Sequence, residues 1–159
     1  MKLFHGSNTT INTINFAKCK PYKDFGQGFY LTEIKEQAMQ MARRTASIYG
    51  GEPIVTAFEF DKTAAFNNTP TLLIKHFENP DEEWALFVMG NRSRIQVYPV
   101  HEYDIVIGPV ADDTIATLFR NFDDGIIELP TLVSGLRYKK ISSQYFFHSQ
   151  KAVVYLKVL

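Results

Sequence analysis

Three short segments, far apart in the chain, combine hydrogen-bonding or aromatic side chains with flexible backbone. They are Phe4–Ser7 near the start, Phe25–Leu31 further along, and Ser143–His148 near the end. An imidazole can bind a sugar hydroxyl, a glycine lets backbone groups approach a ligand closely, and an aromatic ring can stack on a heterocycle. This combination of residue types is suited to binding a flat, polar ligand.

The first segment offers His5, Gly6 and Ser7 as ligand contacts. The Gly6 N–H and C=O can pair with a carboxamide, the His5 imidazole can bond a ribose hydroxyl, and Ser7 can add a contact. A strand that ends in a tight turn with a surface histidine explains the same tripeptide. Both interpretations stay open for this segment taken alone.

The second segment places two glycines, Gly26 and Gly28, one residue apart and directly before the pair Phe29 and Tyr30. Paired glycines of this kind mark the entry to a strand. Tyr30 then either stacks on a bound ring or fills the core at the junction between loop and strand.

Together the three segments resemble the ADP-ribosyltransferase superfamily, in its His–Tyr–Glu branch, to which the poly(ADP-ribose) polymerases belong. The run from Gly26 to Leu31 is similar to the polymerase pattern Gly-x-Gly-Ile-Tyr-Phe, and its distance from His5 fits the branch. The resemblance implies NAD as co-substrate, no metal, and a nicotinamide ring stacked on Tyr30. The residues to which it assigns NAD binding are His5, Gly6, Ser7, Gly28, Tyr30 and Met41.

Met41 and Ala38 stand where the polymerases have a second nicotinamide-stacking tyrosine and a serine. A thioether can pack on an aromatic ring, but the hydrogen bond of the serine is lost. An ordinary core residue is the alternative for Met41.

Gln144 stands where this branch has its catalytic glutamate, so the resemblance assigns catalysis to His5, Tyr30 and Gln144. A carboxylate ~4 Å from the developing oxocarbenium charge, at an effective dielectric of ~20, contributes about 4 kcal/mol. Its loss slows the step roughly a thousandfold. Glutamine keeps the shape and can accept from a ribose hydroxyl, so the resemblance implies single ADP-ribose transfer instead of chain elongation.

The segments 104–113 and 144–148 also resemble a bacterial family of unassigned function in this superfamily, whose members are thought to act as toxins beside small antitoxins. The leading hypothesis is therefore an NAD-dependent mono-ADP-ribosyltransferase of toxin type, with an acceptor that the sequence leaves open. A catalytically silent module that binds a nucleotide, a protein or an antitoxin is the alternative. RNA 2′-phosphate transfer is a third possibility, disfavoured by balanced charge and the absence of an evident arginine quartet.

Several further polar residues have weaker assignments. Lys23 and Arg43 are candidate pyrophosphate contacts, and Arg92 either clamps a phosphate or contacts a helix end. Asp104 can reach the cleft from the start of a strand, and His148 is a candidate proton acceptor.

The bulk properties predict one packed domain over residues 1–159, because 45% of the residues are hydrophobic and 14% aromatic. Lys and Arg number 17, as do Asp and Glu, so no net field attracts a nucleic acid. The single cysteine, Cys19, excludes a disulfide framework. No apolar run approaches a signal peptide or the ~20 residues of a membrane span, so a cytoplasmic protein is expected.

The residue patterns predict strands and helices that mix without strict alternation, which indicates an α+β fold. The resemblance implies more specifically an ADP-ribosyltransferase-like split β-sheet core with flanking helices. The predicted strands are Lys2–His5, Gly28–Thr32, Ile54–Phe60, Thr71–Phe77, Tyr103–Val110, Gln144–Phe147 and Leu156–Leu159. The predicted helices are Glu33–Tyr49, one opened by Asn79–Asp81, Asp112–Phe122, 129–136 and Lys151–Tyr155.

Overall fold

The computed structural model describes residues 1–69, 71–95, 99–137 and 142–159. The strands are β1 (Lys2–Ser7), β2 (Phe29–Thr32), β3 (Ile54–Phe60), β4 (Ile74–His76), β5 (Ile105–Pro109), β6 (Ser143–Phe147) and β7 (Leu156–Val158). The helices are α1 (Lys35–Tyr49), α2 (Lys62–Asn67), α3 (Glu82–Arg92), α4 (Asp113–Asp123), α5 (Leu129–Leu136) and α6 (Gln150–Val153), besides a 3₁₀ turn over Phe16–Lys18.

The strands form one mixed sheet in the order β4-β5-β6-β2-β1-β3-β7. Among the strand pairs of the described residues, only β4–β5 is parallel, and the other neighbours run antiparallel. The predicted α+β class is therefore confirmed.

The sheet is nearly divided between β1 and β2. These strands are registered through one pair, Phe4 with Thr32, whereas β1 pairs with β3 from Lys2 to Ser7. Strand β2 pairs with β6 along its whole length. Two half-sheets, β4-β5-β6-β2 and β1-β3-β7, thus meet at a fork just beyond Phe4.

Helix α1 covers this fork and packs closely on β1. A Cβ atom added at Gly6 would overlap the Ala38 carbonyl oxygen and lie 2.8 Å from the Ala42 nitrogen. Ala38 and Ala42 are both buried. Only a glycine on the strand and small residues on the helix allow so short a separation.

The ends of α1 show one wrong prediction and one confirmed one. The sequence pattern predicts a start at Glu33 with Thr32 as N-cap, but α1 starts at Lys35 after Ile34. Thr32 is the last residue of β2, where it pairs with Phe4 and Gln144, and its hydroxyl accepts from the Ile34 N–H at 3.1 Å before the helix begins. Gly50 ends the helix as predicted, with φ of 79° and its N–H on the Ala46 carbonyl.

Most other elements agree with the sequence patterns to within a few residues. Helix α3 begins at Glu82, one residue after its N-cap Asp81, so Pro80 precedes the helix instead of occupying its first turn. Helix α2 is absent from the sequence-based predictions. Its signal is Asp61, whose side chain accepts from the Ala64 N–H as an N-cap.

Successive side chains of a strand point to opposite faces of the sheet, and a core cluster lies on each face. One core cluster contains Leu3, Phe29, Leu31, Phe58, Phe60, Ile105, Ile107, Tyr145 and Phe147. The other contains Phe25, Trp84, Val88, Val106, Ile115, Phe119, Leu132 and Phe146. No helix in the described part of the chain combines the length and apolar character needed to cross a bilayer.

Candidate functional site

The three strands that carry the candidate residues are neighbours in the sheet, in the order β6, β2, β1. Tyr30 pairs with Phe146 and Thr32 pairs with Gln144. Cross-strand partners share a face, as do residues two apart on a strand. The side chains of Tyr30 and Gln144 therefore lie on the same face of the sheet.

His5 lies at the fork between β1 and β2. Its Nδ1 is 2.8 Å from the Tyr30 carbonyl oxygen, which can only accept, so Nδ1 carries the proton and donates it. The ring stacks on Phe29 at a centroid distance of 4.3 Å. Phe29 and Tyr30 point to opposite faces of β2. The His5 ring therefore lies on the Phe29 face of the sheet, opposite the Tyr30 and Gln144 side chains, and reaches Tyr30 only through its backbone carbonyl.

The protonation of His5 determines what it can offer a ligand. Burial lowers the pKa of His5, and its hydrogen bond to Tyr30 only partly opposes this. The ring is therefore neutral at pH 7, with its proton on Nδ1. Nε2 then has a free lone pair and no hydrogen-bond partner among the described residues. It can accept a hydrogen bond from a ligand hydroxyl.

The hydroxyl of Tyr30 is used inside the protein. It donates to the Gly26 carbonyl at 2.8 Å and accepts from the Phe25 N–H at 2.9 Å. Its ring packs on Phe146 at 4.9 Å between centroids. Burial raises the pKa of Tyr30 well above its ordinary value. Tyr30 therefore holds residues 25–28, the glycine loop, against the sheet, and its own side chain remains partly exposed.

Gln144 is buried, with 9% of its surface exposed. Its Nε2 donates to Asp24 Oδ2 at 2.8 Å and to the Pro109 carbonyl at 3.1 Å. Both partners are acceptors only, which establishes the orientation of the amide. Its oxygen, Oε1, remains as the acceptor that a ligand can use.

Asp24 is a site residue that the sequence analysis missed. It is buried, and its Oδ1 accepts from Arg92 Nε at 2.8 Å and Nη2 at 2.6 Å. Its Oδ2 accepts from the Ala111 N–H at 3.1 Å as well as from Gln144. Arg92 thus binds a carboxylate of this chain from its place in the last turn of α3, where a cation is also favourable to the helix end. No local pattern distinguishes Asp24 from a loop aspartate, so nothing near it in the sequence reveals the network.

The remaining predicted NAD contacts differ in accessibility. Gly6 and Gly28 are required by packing, since a Cβ at Gly28 would overlap the Phe146 ring. Ser7 is half-buried at the end of β1. Met41 is 50% exposed on α1, so the alternative of a core residue is wrong and the thioether is open to a ligand.

Two of the weaker candidates are engaged away from the fork. Asp104 accepts from the Leu73 N–H at 2.9 Å and pairs with Lys151 at 3.1 Å. Arg43 forms an exposed pair with Glu36 at 3.6 Å. Their contacts do not connect them to His5, Tyr30 or Gln144.

Lys23 and His148 lie beside the glycine loop. Burial lowers the pKa of Lys23, as do Lys20, Arg44 and Arg92 nearby, so several positive side chains approach the Asp24 side of the site. The His148 ring stacks on Phe146 at 5.7 Å, and its Nδ1 lies 2.8 Å from the Gln27 carbonyl.

Two surface hollows of about 600 and 620 Å³ lie among the helices α3, α4 and α5. The first lies between α4 and α5, and the second is bordered by Arg92, Ser93 and Arg120. Neither includes His5, Tyr30 or Gln144. Within the described ranges, no three His, Cys, Asp or Glu side chains gather in a way that could hold a metal ion.

Comparison with known proteins shows the family to which the chain belongs. Neither the curated proteins nor the solved structures contain a match to this chain. The sequence model of a family described as a protein of unknown function, DUF3990, matches residues 1–158. That match includes all three strands of the candidate site, and the chain belongs to the DUF3990 family.

Proposed function

We propose that this protein is an NAD-dependent mono-ADP-ribosyltransferase with His5, Tyr30 and Gln144 as its central residues. The observation that carries the proposal is the fork between β1 and β2, with these residues on the two strands that form it and on the adjacent β6. Their order along the chain and their adjacency in the sheet agree with the resemblance seen in the sequence. The half-sheets would correspond to the split core of that superfamily.

In the proposed complex, the nicotinamide-ribose end of NAD enters the fork. The lone pair of His5 Nε2 accepts from a ribose hydroxyl, the Gly6 backbone pairs with the carboxamide, and the exposed part of the Tyr30 ring stacks on nicotinamide. Gln144 Oε1 accepts from a hydroxyl of the reacting ribose. The roles of His5 and Gln144 use Nε2 and Oε1, two acceptor atoms that have no hydrogen-bond partner among the described residues.

The reaction breaks the bond between ribose C1′ and the nicotinamide nitrogen and forms a bond from C1′ to a nucleophile on the acceptor. The electron pair of the broken bond leaves with nicotinamide, which becomes neutral. The nucleophile loses its proton to solvent or to a nearby base. Because the leaving group already carries a positive charge, its departure requires no metal ion.

The biological setting is proposed on the resemblance alone. It would be a toxin that acts in the cytoplasm and is held inactive by a small antitoxin protein. The acceptor would be a macromolecule of the cell. Co-expression with the product of a small adjacent gene should relieve growth inhibition if this setting is correct.

The decisive test combines labelled NAD with the purified protein and a cell extract. We expect label on an acceptor and release of nicotinamide. His5→Ala should lower the rate of nicotinamide release about tenfold, because the variant loses one hydrogen bond to the ribose in the transition state. His76→Ala is the matched control, since His76 is exposed on β4 at the far edge of the sheet. Folded wild-type protein that neither releases nicotinamide nor labels any acceptor would contradict the proposal.

The silent binding module is the second candidate function. It is favoured by the internal hydrogen bonds of the Tyr30 hydroxyl and the Gln144 Nε2. These bonds give both side chains a role in holding the fold together that requires no catalysis. It predicts saturable binding of NAD or of a protein partner by calorimetry, without turnover. Binding without nicotinamide release would select this alternative.

A further inference from the structure

The contact between Asp24 and Gln144 joins residues 120 positions apart in the chain. Both hydrogens of Gln144 Nε2 are donated, one to Asp24 and one to the Pro109 carbonyl. The amide therefore has one orientation, because its reversal would place Oε1 against two other acceptors. This contact decides which atom of residue 144 a ligand meets.

Asp24 is arranged to remain an acceptor. Arg92 donates twice to Oδ1, while Gln144 and the Ala111 N–H donate to Oδ2. Four donors thus point at the two carboxylate oxygens, two at each. The other ionisable groups that face Asp24 are Lys23 and the neutral Tyr30 hydroxyl. Burial lowers the pKa of Lys23 and the Asp24 carboxylate partly opposes this, whereas burial and the carboxylate both raise the pKa of Tyr30.

We propose that Asp24 is a positioning residue that holds the Gln144 amide with Oε1 toward the ligand and makes glutamine, not glutamate, the side chain that this site requires. The identity of the ligand rests on the proposed function, whereas the coupling of the two residues does not. The site then recognises its ligand through an uncharged acceptor, which suits a sugar hydroxyl as donor.

The requirement for glutamine follows from the 2.8 Å distance between Gln144 Nε2 and Asp24 Oδ2. A carboxylate in place of the amide would put two negatively charged oxygens in contact. One of them must then take up a proton or move away. The glutamine that departs from the His–Tyr–Glu pattern is therefore matched to the aspartate beside it.

The coupling is tested by thermal unfolding of four proteins at several pH values: wild type, Gln144→Glu, Asp24→Asn and the double variant. A carboxyl pair in contact raises one folded-state pKa above its unfolded value. Gln144→Glu should therefore lose stability relative to wild type as pH rises from about 5 to about 8. The double variant should lack this additional loss, since the amide at position 24 can donate to the introduced carboxylate. Equal pH dependence of Gln144→Glu and wild type would overturn the proposal.

A second readout follows the orientation of the amide directly. In wild type the two side-chain N–H protons of Gln144 should exchange slowly in NMR spectra, because both are hydrogen-bonded and buried. Asp24→Asn should accelerate their exchange, since one acceptor is replaced. Asp104→Asn is the matched control, because Asp104 is equally buried and bound to Lys151 without contacting Gln144. Unchanged exchange in folded Asp24→Asn would also overturn the proposal.

The positioning role predicts a specific kinetic effect. Asp24→Asn should lower the kcat of nicotinamide release about tenfold while the KM for NAD stays within about twofold, because the misplaced acceptor acts at the reacting ribose. An undiminished kcat in the folded variant would show that Asp24 does not position Gln144 for the reaction. If wild type releases no nicotinamide, the proposed function fails, and the pH comparison and amide exchange still decide the coupling.

Discussion

Arg92 and Asp24, 68 residues apart, form a two-pronged ion pair in which Nε and Nη2 both donate to Oδ1, at 2.8 and 2.6 Å. The pair connects the end of α3 to the loop that precedes the paired glycines. The Asp24 side chain is 10% exposed and that of Arg92 32%. The carboxylate is thus the more buried partner of the pair.

Arg92→Ala should lower the free energy of unfolding by about 2 kcal/mol, because it leaves a buried carboxylate without its charged partner. The partial exposure of Arg92 keeps this below the full effect of breaking a buried pair. Arg92→Lys should recover only part of the loss, since an ammonium group cannot reproduce the planar fork. Urea unfolding measures the series. Arg43→Ala, which breaks an exposed pair, should change little.

Tyr30→Phe separates the ring from the hydroxyl. It keeps the stacking surface but removes two hydrogen bonds, and it leaves the Phe25 N–H without its acceptor. We expect a loss of about 1–3 kcal/mol in the free energy of unfolding. Tyr155→Phe is the control, because its hydroxyl bonds to Asn68 at the surface, where water can replace it. Equal losses in the two variants would argue against a structural role for the Tyr30 hydroxyl.

Gly6→Ala tests the close packing of α1 on β1. The added methyl group meets helix backbone at Ala38, which cannot rotate away, so the helix must shift. We expect a loss of about 3 kcal/mol, the upper part of the range for overpacking. Gly90→Ala should be neutral or stabilising by up to about 1 kcal/mol, because it lies in α3 with its nearest side-chain atom 3.5 Å away. Calorimetric melting of both variants compares them.

His101 predicts how stability depends on pH. Its Nε2 donates to the Phe25 carbonyl at 2.8 Å, and its Nδ1 accepts from the Tyr103 N–H at 3.0 Å, so both nitrogens serve the neutral ring. Burial lowers the pKa of His101, helped by nearby His148 and opposed by the Phe25 hydrogen bond. Protonation of Nδ1 would remove the lone pair that accepts the hydrogen bond from the Tyr103 N–H.

The sign follows from proton binding. Below about pH 6.5 the unfolded chain takes up a proton at this histidine more readily than the folded protein does. The free energy of unfolding should therefore decrease as pH falls from about 7, and His101→Gln should flatten that decrease. The His5 pKa is lowered in the same direction, so part of the slope should persist. Denaturant unfolding at a series of pH values measures it. A slope unchanged by His101→Gln would contradict this assignment.

The local sequence was sufficient for most of the secondary structure. Alternating side chains predict β3 with its exact bounds, Gly50 marks the end of α1, and Asp112 and Ser149 predict the starts of α4 and α6. These features depend on residues within about one turn of each other. Thr32 does not cap α1, because the helix begins only at Lys35 and the Thr32 hydroxyl bonds instead to the Ile34 N–H and to Gln37.

For the site, the sequence by itself determined the residue types and their order: an imidazole, a phenol and an amide, with glycines beside the first two. Only the tertiary structure decided which faces they occupy, that the Tyr30 hydroxyl is used internally, and that Asp24 holds Gln144. The physical reason is that these outcomes depend on strand register and on contacts between distant segments. A pattern of neighbouring residues carries no information about either.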